Sequence, residues 1–286
     1  DTSTLGLGLI INGLPVTDAD GLRRIKGATN KADIGAYEYG DATFLHTATA
    51  ANISGHVTTL DTPYLNGYAA AKAIITPNFN AGIPSGSGTA YAHPPGIYYD
   101  GTQYWRIFGE DFAAMPNGAH FDVFSPAPGS GSFVHVSDAG SVSGAATQLP
   151  TSATGTSPDT IVLATQNWSA GGHAQYNAHS IGVRFVGGAW QVLNLDSAPM
   201  PVNLGFNVYS QMPSPNAFRV STATSTTFLD LDHPLLNGIT CARPHVTRVA
   251  GAAATDYAFD LYYTSTGVWR IFGYSTMLAG TTFNVV

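Results

Sequence analysis

Trp105-Arg106-Ile107-Phe108-Gly109 recurs letter for letter as Trp269-Arg270-Ile271-Phe272-Gly273, and Trp190-Gln191-Val192-Leu193-Asn194 stands between them. The agreement continues past the tryptophan. Asp111, Met115 and Phe121 follow the first, and Asp196, Met200 and Phe206 follow the second at the same steps. Met277 and Phe283 follow the third, whose spacing is two residues shorter before the methionine. A unit of roughly 80 to 90 residues is used three times, so fold and function must be read from a repeat array.

Working backwards, the copies open at Phe44-Leu45-His46, Phe133-Val134-His135 and Phe218-Arg219-Val220, which bounds them at 44–125, 133–210 and 217–286. The first and third share the turn Leu60–Gly67 against Leu231–Gly238. The first and second share Thr76-Pro77-Asn78-Phe79-Asn80 against Thr165-Gln166-Asn167-Trp168-Ser169, a segment the third has lost. Pro126–Gly131 and Met212–Pro215 read as linkers, where proline stiffens the joint and stops strands from running on.

Each copy reads as β structure. Before each tryptophan comes a β-rich run and a glycine turn: Ile97-Tyr98-Tyr99 with Asp100-Gly101, Val183-Arg184-Phe185 with Gly187-Gly188, and Leu261-Tyr262-Tyr263 with Gly267. Glycine accepts the positive φ that tight hairpins need. Each copy closes with a further strand, Phe121-Asp122-Val123, Phe206-Asn207-Val208 or Phe283-Asn284-Val285. Helical periodicity is nearly absent; Gly67–Ile75 reads either as a short helix or as loop. The expectation is an all-β chain of three tandem small sandwich- or barrel-like repeats, with the repeated Trp, Met and Phe filling the cores.

Charged residues make up 10% of the chain and the net charge is −7, against about a quarter charged in ordinary soluble domains. Without a basic cluster, nucleic acid and anionic membrane surfaces are not expected partners. No apolar run approaches the roughly 18 residues of a membrane span, so no membrane insertion is expected. Cys241 is the single cysteine, which excludes a disulfide framework and reads as a buried, inert thiol. The chain starts at Asp1 with no methionine or signal peptide, and is expected to be a processed or excised piece.

Residues 1–40 differ from the rest. Asp18-Ala19-Asp20-Gly21-Leu22-Arg23-Arg24, followed by Ala32-Asp33-Ile34-Gly35-Ala36-Tyr37-Glu38-Tyr39, resembles the closing segment of secreted bacterial right-handed parallel β-helix proteins. Such a last coil is stable only when stacked on another. Asp18 and Asp20 suit either a plain turn or paired oxygen ligands for calcium. Phe44–Asn52, Thr165-Gln166-Asn167-Trp168 and the Trp-to-Asp and Met-Pro spacings resemble an uncharacterised module that occurs, often in tandem, in large secreted or surface proteins of environmental bacteria. The resemblance implies an extracellular or cell-surface setting and carries no activity with it.

The motifs of hydrolases, zinc proteases and nucleotide-binding folds are missing. Glu38 and Glu110 are the only glutamates. Glu110 and Asp111 are adjacent, so on a strand they point to opposite faces and make a poor acid–base pair. An enzyme is therefore not expected. Two binding hypotheses remain. His46 and His135 share one position, His93 and His179 share another, and the third copy has Val220 and Tyr257 in their place. Joint loss points to positions that meet, either as a hydrogen-bonded pair holding Tyr91-Ala92-His93-Pro94 onto the first strand, or as transition-metal ligands with Asp111 or Asp196. Phe79 and Trp168 read as exposed loop aromatics beside Asn78, Asn80 and Asn167. That combination suits stacking on a sugar ring, or equally a plug pinning a loop.

The expected function is a non-catalytic structural or adhesion module at the end of a larger secreted protein. Its expected partners are copies of itself, an upstream β-helix region or surface glycans. Leu5-Gly6-Leu7-Gly8-Leu9-Ile10-Ile11 is a candidate for pairing with the edge of a neighbouring subunit in a fibre or surface layer.

Overall fold

The computed structural model describes residues 25–26, 31–32, 41–84, 87–251 and 257–286. The β-helix-like motifs, Asp18, Asp20 and Leu5–Ile11 lie outside the described residues, apart from a short antiparallel pair, β1 (Ile25–Lys26) with β2 (Lys31–Ala32).

The first copy contains β3 (Ala42–Thr47), β4 (Ile53–Ser54), β5 (Val57–Leu60), β6 (Ile74–Asn78), β7 (Pro95–Tyr99), β8 (Trp105–Gly109) and β9 (His120–Ser125). The second repeats this plan with β10 (Ser132–Val136), β11 (Val142–Ser143), β12 (Ala146–Gln148), β13 (Ile161–Asn167), β14 (Ile181–Val186), β15 (Ala189–Asn194) and β16 (Gly205–Gln211). The third has one strand fewer: β17 (Phe218–Ser221), β18 (Thr226–Leu231), β19 (Val246–Val249), β20 (Phe259–Tyr263), β21 (Trp269–Met277) and β22 (Thr282–Val285). The chain is all-β in three tandem repeats. Gly67–Ala73 is loop and Ile74–Ile75 begin β6, so the segment is not helix; the alanines there have no periodic apolar face to bury, so nothing holds a helix in place.

Within a copy, two half-sheets pack face to face. The opening, closing and middle strands form one half, as in β3-β9-β6, and the tryptophan hairpin with its outer strands forms the other, as in β7-β8-β5-β4. Trp105, Trp190 and Trp269 are each buried in their own copy's core. Their indole N–H groups donate to matching loop carbonyls, of Tyr68, Ser157 and Ile239 at 2.9, 3.0 and 2.9 Å. A buried tryptophan needs such a partner for its one polar group. In the second hairpin Gly187 and Gly188 both have positive φ, 60° and 82°. That is the signature of the two-residue turn whose twist suits a β-hairpin.

The half-sheets do not stop at copy boundaries. The hairpin half of each copy joins the three-stranded half of the next through a parallel pair: β7 with β13, β14 with β19, and β20 back to β6. Three shared sheets result, ordered β10-β16-β13-β7-β8-β5-β4, β11-β12-β15-β14-β19-β22-β17 and β18-β21-β20-β6-β9-β3. The third copy thus closes onto the first, and the array is a ring.

The same backbone bonds fasten each junction. Trp168, Ala250 and Phe79 donate their N–H groups to the carbonyls of Ile97, Val183 and Leu261 at 3.0, 2.8 and 2.6 Å. A second cycle runs nearer the centre. Ile75 N–H donates to the Thr165 hydroxyl, Ala164 to Thr247, and Val246 to Thr76, each at 3.1 Å. Ile74, Phe124, Leu163 and Tyr209 pack together across the copies, against Val286. Strands β6 and β13 are buried along their whole length, as central strands covered on both faces must be.

Candidate functional site

The candidate histidines prove to have separate partners. His46 Nε2 bonds the Thr58 hydroxyl at 2.8 Å, and His135 Nε2 bonds Thr147 at 2.8 Å. Thr58 donates onward to Asn52 Oδ1 at 2.9 Å, and Thr147 to the Ser141 hydroxyl at 3.0 Å. Each chain of bonds pins the arc that carries the outermost strand, β4 or β11. Burial, with His120 adding a smaller effect, lowers the His46 pKa to about 4, and burial lowers that of His135. Both are neutral framework groups at physiological pH.

The second histidine position sits elsewhere. His93 Nδ1 pairs with Asp111 Oδ2 at 2.7 Å, and His179 Nδ1 with Asp196 Oδ2 at 2.6 Å. The carboxylates named with these histidines in the sequence are their partners, but the expectation that the two histidine positions meet is corrected. Their joint loss has a local cause. The third copy lacks the β4-like strand, so a pin at Val220 has nothing to hold, and Leu229 takes the place of Thr58 and Thr147. Among the described residues, no group of three or more His, Cys, Asp or Glu is placed to hold a metal ion.

The loop amides are corrected too. Asn78, Asn80 and Asn167 are buried. Asn78 Nδ2 donates to Asp122 at 3.0 Å, Asn167 Nδ2 to Asn207 at 2.8 Å, and Asn80 Nδ2 to the Tyr263 carbonyl at 2.8 Å. An amide N–H spent on a partner inside the fold is not free for a sugar hydroxyl. Cys241, expected to be buried, is exposed; it sits in the loop before β19, away from the cores that would have covered it.

Phe79 and Trp168 are half-buried rather than free, and each stands at a junction beside aromatics from the adjoining copy. At the first–second junction Trp168 meets Tyr98 at 5.5 Å and Tyr176 at 5.6 Å between ring centroids. Tyr176 meets Phe112 at 4.6 Å, and Phe112 meets His56 at 5.1 Å. Phe112 and Tyr176 are 54% and 36% exposed, so the cluster opens to solvent. At the third–first junction Phe79, Ala90, Tyr262, Phe272 and Tyr274 line a hollow of about 230 Å³. An adjoining hollow of about 330 Å³ shares Phe79 and Tyr262 and is rimmed by Thr264, Ser265, Thr266 and Arg270. The guanidinium is already engaged, by Asp230 and by the Tyr262 hydroxyl at 3.0 Å. The second–third junction has Arg184, Ala250 and Leu193 in the matching positions, none of them aromatic.

A buried carboxylate underlies each aromatic junction. Glu110 accepts the Asn177 N–H at 3.1 Å, and Asp260 accepts the Tyr91 N–H at 3.1 Å. The two reach the same place from opposite strands. Gly96 leaves room for Glu110, since a Cβ there would lie 2.3 Å from Oε1. At the third–first junction Asp260 occupies the Gly96 position and Tyr274, in the Glu110 position, donates its hydroxyl to it. Burial, with Asp111 adding to it, raises the Glu110 pKa to about 8, and burial raises Asp260 to about 6. In the second copy Gly182 and Leu195 stand at these positions and bring no acid. Tyr98, Tyr176, Tyr262, Phe272 and Tyr274 were missed in the sequence; comparing the column Tyr98, Arg184 and Tyr262 across copies is the signal that finds them.

The chain belongs to the family described as a domain of unknown function, DUF7452, which matches residues 30–123, 96–210 and 194–286. The matches overlap, the end of one copy serving again as the start of the next. That overlap follows the fold, in which the hairpin half of one copy completes the next copy's sheet. No curated protein and no solved structure matches the chain. Among the described residues no helix is long and apolar enough to cross a membrane.

Proposed function

We propose that this chain is a non-catalytic, extracellular binding module that attaches a larger surface protein to neutral glycans through its two aromatic junctions. The observation that carries the reading is the hollow between the third and first copies. Its walls are the rings of Phe79, Tyr262, Phe272 and Tyr274, and the adjoining hollow carries the Ser265 and Thr266 hydroxyls on its rim, that of Thr264 being bonded to the Val268 carbonyl. Ring faces stack on the C–H faces of sugars, while hydroxyls and carbonyls exchange hydrogen bonds with theirs. Arg270, the one cation on the rim among the described residues, is neutralised by its own Asp230, which favours an uncharged ligand over a uronate or a phosphate.

The buried acids support binding rather than catalysis. Glu110 Oε2 is bonded to backbone beneath the ring cluster, and both its oxygens are withdrawn from solvent. Glycoside hydrolysis needs two carboxyls facing each other across an open cleft, separated by about 5 to 9.5 Å.

A glycan array spanning neutral, acidic and amino sugars tests the reading. Wild type should retain neutral oligosaccharides, and the Trp168→Ala, Phe272→Ala double variant should lose them while keeping its fold by circular dichroism. A wild-type protein that retains nothing, or only acidic glycans, would refute it.

A further inference from the structure

Among the described residues, the third copy leaves one strand uncovered. β4 lies outside β5 in the first copy and β11 outside β12 in the second, both antiparallel. Leu60 follows Phe44 by 16 residues, but Leu231 follows Phe218 by only 13. Those missing residues are the covering arc. β18, the counterpart of β5 and β12, therefore forms the rim of its sheet.

The rim has the backbone of a strand that expects a neighbour. In the first copy Thr59 N–H donates outward to the Asn52 carbonyl at 3.0 Å, and in the second Gln148 N–H donates to that of Ser141 at 2.9 Å. Asp230 holds this place on β18, paired with Arg270 as Thr59 is with Arg106. Its N–H points away from the sheet by the same alternation. Phe228, two residues back, bonds its own N–H to the Thr226 hydroxyl at 3.2 Å, and its ring is 45% exposed. Native edges are guarded by lysine, proline, unpaired charge or bulges; Thr226–Leu231 carries one charge, which Arg270 neutralises, and the irregularity between Thr226 and Phe228 puts its extra residues on β21, not on β18.

We propose that β18 is the seat of an antiparallel strand from a second copy of this chain, β18 against β18 about a twofold axis. The first two copies show that the seat takes an antiparallel strand. An edge strand related to itself by a twofold perpendicular to its sheet is antiparallel by symmetry. The sequence supplies its own complement in one register. With Phe228 opposite Phe228, Thr226 faces Asp230 and Thr227 faces Leu229, so rings meet rings and the carboxylate meets a hydroxyl. Sliding the register to centre on Asp230 opposes two carboxylates and is penalised. Two six-stranded sheets become one continuous sheet, stopping at the dimer because the interface is isologous. This inference goes beyond glycan binding and does not depend on it.

Analytical ultracentrifugation of the full chain tests it. Wild type should dimerise reversibly, and Thr227→Lys and Phe228→Lys should each weaken the dimer at least about tenfold, the effect of some 1.4 kcal/mol. The Phe228→Cys, Cys241→Ser double variant should form a disulfide-linked dimer under mild oxidation. A wild-type monomer at the highest attainable concentration overturns the proposal. So does a dimer indifferent to both lysines, or a Phe228→Cys, Cys241→Ser protein that stays unlinked.

Discussion

The junctions on either side of the second copy are built alike and furnished differently. Both are closed by a parallel strand pair, by one N–H to carbonyl bond and by one N–H to threonine bond. Yet the first–second junction holds Trp168, Tyr98, Tyr176 and Glu110, and the second–third holds Ala250, Arg184 and Leu195 in related places. Closure of the ring is thus a backbone property carried by strand register and threonine. The side chains above it are free to differ. A tandem array that must keep its cores can place binding chemistry at the joints, one joint at a time.

The largest effect should come from what all copies share. Trp105→Ala and Trp190→Ala each empty a core and should cost about 3 to 5 kcal/mol. Because the sheets are shared, calorimetry should show the copies melting in one transition in both variants. Separate transitions would break the claim that the junctions couple them. Next come the buried acids, which among the described residues stand at two junctions. The Glu110 carboxyl, ordinarily near 4.5, titrates at about 8 in the folded chain, so folding takes up a proton between those values. Stability is then full below pH 4.5 and declines as pH rises through 8, by about 1.4 kcal/mol per pH unit at most. Glu110→Gln should flatten this decline, matching wild type at pH 4 and exceeding it at pH 9 in chemical denaturation. Leu195→Gln at the acid-free counterpart should show no such pH-dependent gain. Smaller still, Thr165→Val and Thr247→Val remove equivalent bonds from unlike junctions. Each should cost about 1 kcal/mol, and unequal costs would show that the joints are not one scaffold.

The repeat, its strand content and its core aromatics were legible in the sequence, because a core must be filled at the same strand positions each time. Trp105, Met115 and Phe121 kept their spacing for that reason. The ring was not legible. Parallel pairs such as Gln166 with Gly96 join residues far apart in sequence, and a single chain offers no local signal for which copy's edge meets which. Burial of Asn78 and Asn167 was hidden for a related cause, since the partners that hold them, Asp122 and Asn207, lie on a strand some 40 residues on. The histidine losses were visible, but their reason was not. His46 and β4 vanish together because one pins the other, whereas His93 follows Asp111, whose place Ser275 takes in the third copy.

The claim that binding resides in two of three equivalent joints meets its most direct test in the stoichiometry of ligand uptake. Isothermal titration of the full chain with the neutral oligosaccharide best retained on the array should give two sites per chain. Trp168→Ala and Phe272→Ala should each leave one, and the pair together none. Three sites, or heats unchanged in both variants, would place binding in the shared framework or elsewhere on the surface and contradict the account.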